Sequence, residues 1–173
     1  MRIGITGTPG TGKSTVGEML SKKLSLPLYS LSPLIKEKGL FKSYDSRRKA
    51  YEVDAEKLKE FFKGKDNFIV EGLVAHYIPL DYLIILRASP EEIKRRLKPR
   101  NYPREKVLEN AEAEKLAVIA TEAFKEPKFK KVIHVDTTGR SPEEVAQLIE
   151  RLIKEGKELL EDVDWLEGEG ISY

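Results

Sequence analysis

The segment Gly7-Thr-Pro-Gly-Thr-Gly-Lys-Ser14 constrains this chain more than any other stretch. A glycine, four residues, then Gly12-Lys13 and a hydroxyl is the Walker A spacing. Residues 2–6 ahead of it read as a short strand, and residues 14–24 behind it carry Val16, Met19, Leu20 and Leu24 at helical spacing. Strand, glycine-rich turn and helix in that order aim backbone N–H groups at one point, a helix N-terminus, where an anion is held by main chain and dipole. The glycines let the backbone wrap inward. Lys13 adds a point charge for the β- and γ-phosphates, Ser14 offers a hydroxyl to Mg²⁺, and Thr15 can reach an α-phosphate from the first helical turn. Gly10, Gly12, Lys13, Ser14 and Thr15 are therefore the expected ATP-binding residues.

Downstream, strands and helices alternate. A short strand at residues 26–30 precedes a helix at 34–38 that Gly39 stops, and Asp54 caps a helix with Leu58, Phe61 and Phe62 on its buried face. Residues 68–70 and 82–86 are unbroken apolar strands, the pattern of a parallel sheet covered on both faces. Ser89-Pro-Glu-Glu and Ser141-Pro-Glu-Glu each open a helix with a cap, a first-turn proline and carboxylates at the positive dipole end. One long polar helix is expected from 104 to about 125, and a fifth strand at 132–135. The pattern predicts an α/β, three-layer fold, a five-stranded parallel sheet with helices on both faces and ligands at the strands' carboxyl ends. At 173 residues the chain reads as one domain. Its last stretch, 157–173, is an acidic extension that Trp165 is expected to dock at least in part.

Composition narrows the function classes. The 31 basic and 29 acidic side chains nearly cancel to +2, which argues against a chain-wide nucleic-acid binder, so any basic function is local. No cysteine means no disulfide framework or thiolate metal site. No apolar run approaches the roughly 18 residues of a membrane helix, so no membrane partner is expected and the cytoplasm is the default location. Abundant Lys and Glu, with Gln147 the sole glutamine and few asparagines, is the usage of heat-adapted proteins.

Two further features carry chemistry. The strand ending Ile69-Val70-Glu71-Gly72 delivers a carboxylate to the sheet's carboxyl edge, where Glu71 is placed to hold water on Mg²⁺; a solvated strand-end Glu is the alternative. Lys94, Arg95, Arg96, Lys98, Arg100, Arg104 and Lys106 then crowd a helix end and a loop. Phosphoryl transfer needs cations that close over the migrating group. Arg96 and Arg100, four apart, can share a face and join Lys13 as catalytic candidates, whereas Lys94 and Arg95 are expected to face solvent. A solvated face or an RNA patch is the alternative. No Asn-Lys-x-Asp follows a strand, which argues against a switch GTPase.

Together the GTPGTGKS loop, Tyr44-Asp45, the IVEG strand, Arg96-Leu97-x-x-Arg100-Asn101-Tyr102 and Glu109-Asn110 resemble adenylate kinase isoenzyme six. That small family is described both as nucleoside monophosphate kinases and as ribosome-assembly ATPases. The similarity runs from Met1 to about Ile153. It implies reversible transfer of the ATP γ-phosphoryl group to AMP or another monophosphate, with possible ATPase action. Arg100 would contact ATP from a lid near 99–109 with Arg96 beside it, and the monophosphate region would fall near 30–51. The loop from Asp136 to Arg140 would lie beside the adenine. The resemblance also implies a partner, the small-subunit protein uS11, with immature small-subunit RNA. The basic lid could then meet RNA, and Glu158, Glu161, Asp162 and Asp164 a basic protein. One departure stands out: Leu73 sits where the family often has the histidine tied to ATPase action, and His76 follows three residues later. Among Lys36, Arg47 and Arg48, none is assigned to the acceptor phosphate, and a kinase for another small alcohol or phosphate stays open.

Overall fold

The computed structural model describes residues 1–125 and 129–166. Its centre is a parallel sheet of β1 (Arg2–Thr6), β2 (Leu28–Ser30), β5 (Phe68–Glu71), β6 (Leu80–Arg87), β7 (Phe129–Asp136) and β8 (Leu159–Leu160), in the order β2-β5-β1-β6-β7-β8. Every pairing in it is parallel. The sheet thus has six strands rather than five. The extra one, β8, pairs Leu159 with Ile133 and Leu160 with His134, and two residues are too few to show a period-two pattern.

Helices cover both faces, as continuous apolar strands require. On one side α1 (Lys13–Leu24) and α7 (Pro142–Glu155) bury Val16, Leu20, Val145, Ile149 and Ile153 against Ile3, Ile5, Ile84 and Ile133. On the other, α2 (Leu31–Lys38), α3 (Ala55–Phe62) and α6 (Val118–Phe124) pack Leu31, Leu58, Phe62 and Ala120 on Phe68, Val70, Leu83 and Ile85. A third, smaller cluster lies at the carboxyl edge. There α4 (Pro90–Leu97) and α5 (Arg104–Lys115) bring together Ile93, Leu97 and Ala111, with Tyr102 and Val107 against them.

The expected caps form. The Ser89 and Ser141 hydroxyls accept from Glu92 N and Glu144 N, the latter within a full capping box, and Asp54 accepts from Glu56 N and Lys57 N. Gly39 ends α2 in the left-handed conformation. One helix expectation fails. The span from 104 to 125 is not one helix: Ala117 takes a φ of 53° and separates α5 from α6. The cause lies outside the helix, since Arg87 Nη2 donates to the Glu114 carbonyl at 3.2 Å and Ala117 N donates to the same oxygen at 2.9 Å, closing a tighter turn. Between Gly39 and Asp54, where no element was expected, the chain forms an antiparallel hairpin, β3 (Phe41–Asp45) with β4 (Ala50–Val53). Asp45 Oδ1 organises its turn by accepting from Arg47 N and Arg48 N, and Phe41, Tyr51 and Tyr44 stack along it.

Leu83 is fully buried in β6, whereas Leu160 in β8 is 62% exposed. Leu83→Ala is expected to cost about 2–5 kcal/mol and Leu160→Ala about 0.5 kcal/mol or less. Urea denaturation of the two variants against wild type measures both.

Candidate functional site

The topology builds the site. Beside β1, β5 ends in register Ile5↔Glu71, so the loop leaving β1 and the carboxylate ending β5 emerge at neighbouring points of one edge. The loop is compact: Thr8 O accepts from Thr11 N at 3.2 Å, Thr11 Oγ1 at 2.8 Å and Lys13 Nζ at 3.3 Å. Gly7 is required sterically, because a Cβ there would stand 2.6 Å from the Leu86 carbonyl oxygen. Gly12, at φ 98°, is the N-cap of α1 and has no side chain to cap it. The first N–H groups of the helix are thus left to whatever occupies the loop.

Lys13 is half-buried, with its charged end the enclosed part: Nζ donates to Gly7 O at 2.9 Å as well as to Thr8 O. Burial pushes its pKa down to about 8; Arg100 pushes the same way, while the charges of Glu71 and Glu114 oppose the shift. Arg100 and the glycine loop therefore meet electrostatically at Lys13. Ser14 Oγ donates to Glu71 Oε1 at 3.3 Å, and Glu71 is 6% exposed. Thr15 stands exposed on the same helical turn. Two hard oxygen donors this close fit Mg²⁺, and no cluster of three or more His, Cys, Asp or Glu suited to a metal occurs among the described residues. A cation here would thus take its remaining ligands from phosphate and water.

The two lid arginines part company. Arg96 is fully engaged within the protein: Nε donates to Glu92 at 2.9 Å, Nη1 to Gly10 O at 3.2 Å and Thr137 Oγ1 at 2.9 Å, and Nη2 to Thr137 O at 3.1 Å. It ties α4, the glycine loop and the loop after β7 together. Arg100 is exposed in a short 3-10 turn, its guanidinium 5.5 Å from the Tyr102 ring centre. Lys94 and Arg95 pair with Glu91 and Glu92 on the outer face of α4. Arg47 and Arg48 lie at the exposed hairpin turn, where Lys106 Nζ from α5 donates to Arg48 O at 3.3 Å.

Glu114 escaped sequence reasoning. It is 1% exposed. Its Oε1 accepts from Thr8 Oγ1 of the loop at 3.0 Å, and its Oε2 from Arg87 Nε at 3.0 Å, Ala88 N at 2.8 Å and Trp165 Nε1 at 3.4 Å. Burial raises its pKa, and Arg87, Ala88 N and Thr8 pull it back. Arg87 Nη1 also faces His134 Nε2 at 3.2 Å; burial and the Arg87 charge lower the His134 pKa, which suits a neutral acceptor. The only advance signal was a glutamate in a polar helix, which looks like any solvated one. His76, considered for the missing family histidine, is fully buried between Thr6 Oγ1 at 3.4 Å and Glu122 Oε1 at 2.9 Å, a structural clasp on α6. Leu73 is 41% exposed, and its carbonyl accepts from Thr6 Oγ1.

The acidic extension docks through residue 166. Trp165 reaches Glu114, Glu161 forms a two-pronged pair with Arg140 at 2.9 and 3.0 Å, and Glu158 accepts from Val132 N. Glu158 and Glu161 are therefore engaged inside the chain. Gly168, Gly170 and Tyr173 lie outside the described residues. Among the described residues, no helix is long and apolar enough to cross a membrane.

A family model described as "AAA domain" matches residues 3–117. A protein of Thermococcus kodakarensis named "Putative adenylate kinase" is 42% identical over 96% of this chain and 94% of its own length. The chain belongs to this family. A member of the same name from Methanosarcina barkeri is 46% identical over 88% of this chain and 86% of its own. The fold extends further: shikimate kinase from Acinetobacter baumannii, solved with shikimate, superposes with a TM-score of 0.65 at 17% identity, covering 90% of this chain and 94% of that one.

Lys13 is charged below about pH 8, so a nucleoside triphosphate meets a ready-made ammonium there. Above that pH the free protein must take up a proton to bind. The dissociation constant for MgATP is expected to be flat below pH 8 and to rise by up to about tenfold per unit above it, with uptake approaching about one proton. Calorimetry in buffers of different ionisation enthalpy measures both; a flat profile to pH 10 would exclude Lys13 as the titrating group.

Proposed function

We propose that this protein transfers the γ-phosphoryl group of MgATP to a nucleoside monophosphate, with AMP the first candidate. The observation that carries the reading is the convergence at one sheet edge of the enclosed Lys13 ammonium, the Ser14–Glu71 pair and the Arg100 charge felt at Lys13. The names of the full-length archaeal relatives support the same choice.

Gly10, Gly12 and the first amides of α1 cradle the phosphates, with Thr15 beside the α-phosphate and Lys13 neutralising the β- and γ-oxygens. Ser14 and Glu71 would hold Mg²⁺. When bound, the ion neutralises charge developing on the phosphate oxygens. The acceptor is a phosphate oxygen already ionised near neutral pH, so the reaction needs positioning and charge neutralisation and no protein nucleophile or base. Arg100 reaches over the transferred group. Arg96, each of whose three nitrogens donates within the protein, is a positioning residue that holds Gly10 in place. Where no monophosphate fills the acceptor side, water can take its place, which gives a slower ATPase. A role in ribosome assembly through the acidic extension has less support, because Glu158 and Glu161 are engaged within the chain.

ADP formation is expected to depend on an added monophosphate, tested one at a time in a coupled assay. Arg100→Ala should lower kcat roughly 10²- to 10³-fold with a smaller change in the KM for ATP, as loss of one transition-state cation does. Arg96→Ala should act mainly on that KM. Wild-type protein that forms no ADP with any monophosphate would reject the proposal, and an undiminished kcat in Arg100→Ala would remove Arg100 from the mechanism.

A further inference from the structure

After α7 the chain runs parallel to β7 toward the carboxyl edge. Tyr82 OH donates to Lys157 O at 3.2 Å, β8 adds to β7, and Glu161 N donates to His134 O at 3.0 Å. The Glu161 carboxylate then accepts from Asp136 N at 2.9 Å and pairs with Arg140. Four residues later the indole N–H of Trp165 points at Glu114 Oε2. That oxygen belongs to the carboxylate whose other oxygen holds Thr8 of the glycine loop. A strap anchored on the Asp136–Arg140 loop thus ends on the group that grips the phosphate cradle.

We propose that Trp165 is a positioning residue of the nucleotide site: residues 157–166 form a strap that, through Glu114 and Thr8, sets how tightly the cradle holds a nucleoside triphosphate. The proposal rests on the nucleotide-binding reading above. The physical reason lies in donor number. A carboxylate taken out of water needs its lone pairs met, and Glu114 meets them with Arg87, Ala88 N, Thr8 and Trp165. Withdrawing the indole leaves the buried carboxylate one donor short and loosens the hold on Thr8, whose side chain is itself buried. The Glu114 charge is also felt at Lys13, so its placement bears on both the shape and the potential of the cradle.

Trp165→Phe keeps a ring for packing and deletes only the N–H. It is expected to raise the dissociation constant and KM for MgATP roughly threefold to tenfold, the range of one ordinary net hydrogen bond, as suits a long contact acting through Glu114, while the KM for the monophosphate and kcat stay within about twofold. A merely structural role would lower the melting temperature and the active fraction without this split. Thr8→Val should raise the same constant, and the double variant should be no weaker than the worse single one, because both act through Glu114. Trp165 is the chain's single tryptophan, so emission reports it alone. MgATP titrated into wild type should shift that emission, and this measurement stands even if a variant fails to fold. Wild type that binds no nucleotide by calorimetry would defeat the nucleotide reading itself. Nucleotide binding with unchanged emission, with wild-type affinity in Trp165→Phe, or with additive effects in the double variant would overturn the strap alone.

Discussion

A lysine ammonium drawn out of water loses its hydration, and the protein must supply carbonyls and carboxylates to take its place. At Lys13 this substitution is incomplete, which is why burial lowers the pKa to about 8 in spite of Glu71 and Glu114. The shortfall is what makes the site receptive. A polyphosphate brings the negative charge that the surroundings withhold, and the helix N-terminus behind Gly12 adds its own unpaired donors. The order of the parallel sheet follows the same need. With β5 beside β1, Glu71 ends next to Ser14, and at Gly17 α1 lies close enough to β2 that a Cβ would meet Leu28 Cδ1 at 3.3 Å.

Much of this was legible in the sequence because its causes are local. The loop, its flanking strand and helix, and the caps at Asp54, Ser89 and Ser141 are written in adjacent residues whose backbone preferences suffice. What was not legible depends on distant partners. The break at Ala117 comes from Arg87, which takes the Glu114 carbonyl from 27 residues away. β8 exists because β7 offers an edge. The hairpin hid because residues 42–50 are exposed on both faces, so no alternation of burial marks β3. The same division runs through the site. Lys13 and Ser14 are given by a motif, whereas the difference between Arg96 and Arg100 is a matter of which carbonyls lie within reach.

That difference has a mechanical meaning. Arg96 bonds to Gly10 and Thr137 with the geometry of a tie beam, and Glu114 does the same from the other side through Thr8. Between them the donor half of the site is braced by buried, mutually satisfied polar groups, the condition under which such networks stiffen a structure. An arginine held this way stabilises the apparatus before any substrate arrives. An arginine on an exposed turn, as Arg100 is, can instead move onto charge as it develops.

The hairpin β3–β4 is built on the opposite plan. The hairpin packs Phe41, Tyr51 and Val53 on the second core, but its turn, with Arg47 and Arg48, stands in solvent and joins α5 through the Lys106 contact to a main-chain oxygen. Exposed backbone bonds and few buried contacts are the conditions for low local stability. A phosphoryl transferase must admit two anions and then exclude water, so one half of its site has to yield while the other stays fixed. On the proposed function the fixed half would be the one whose geometry the glycine motif dictates, and the yielding half the exposed hairpin that a single sequence leaves unspecified.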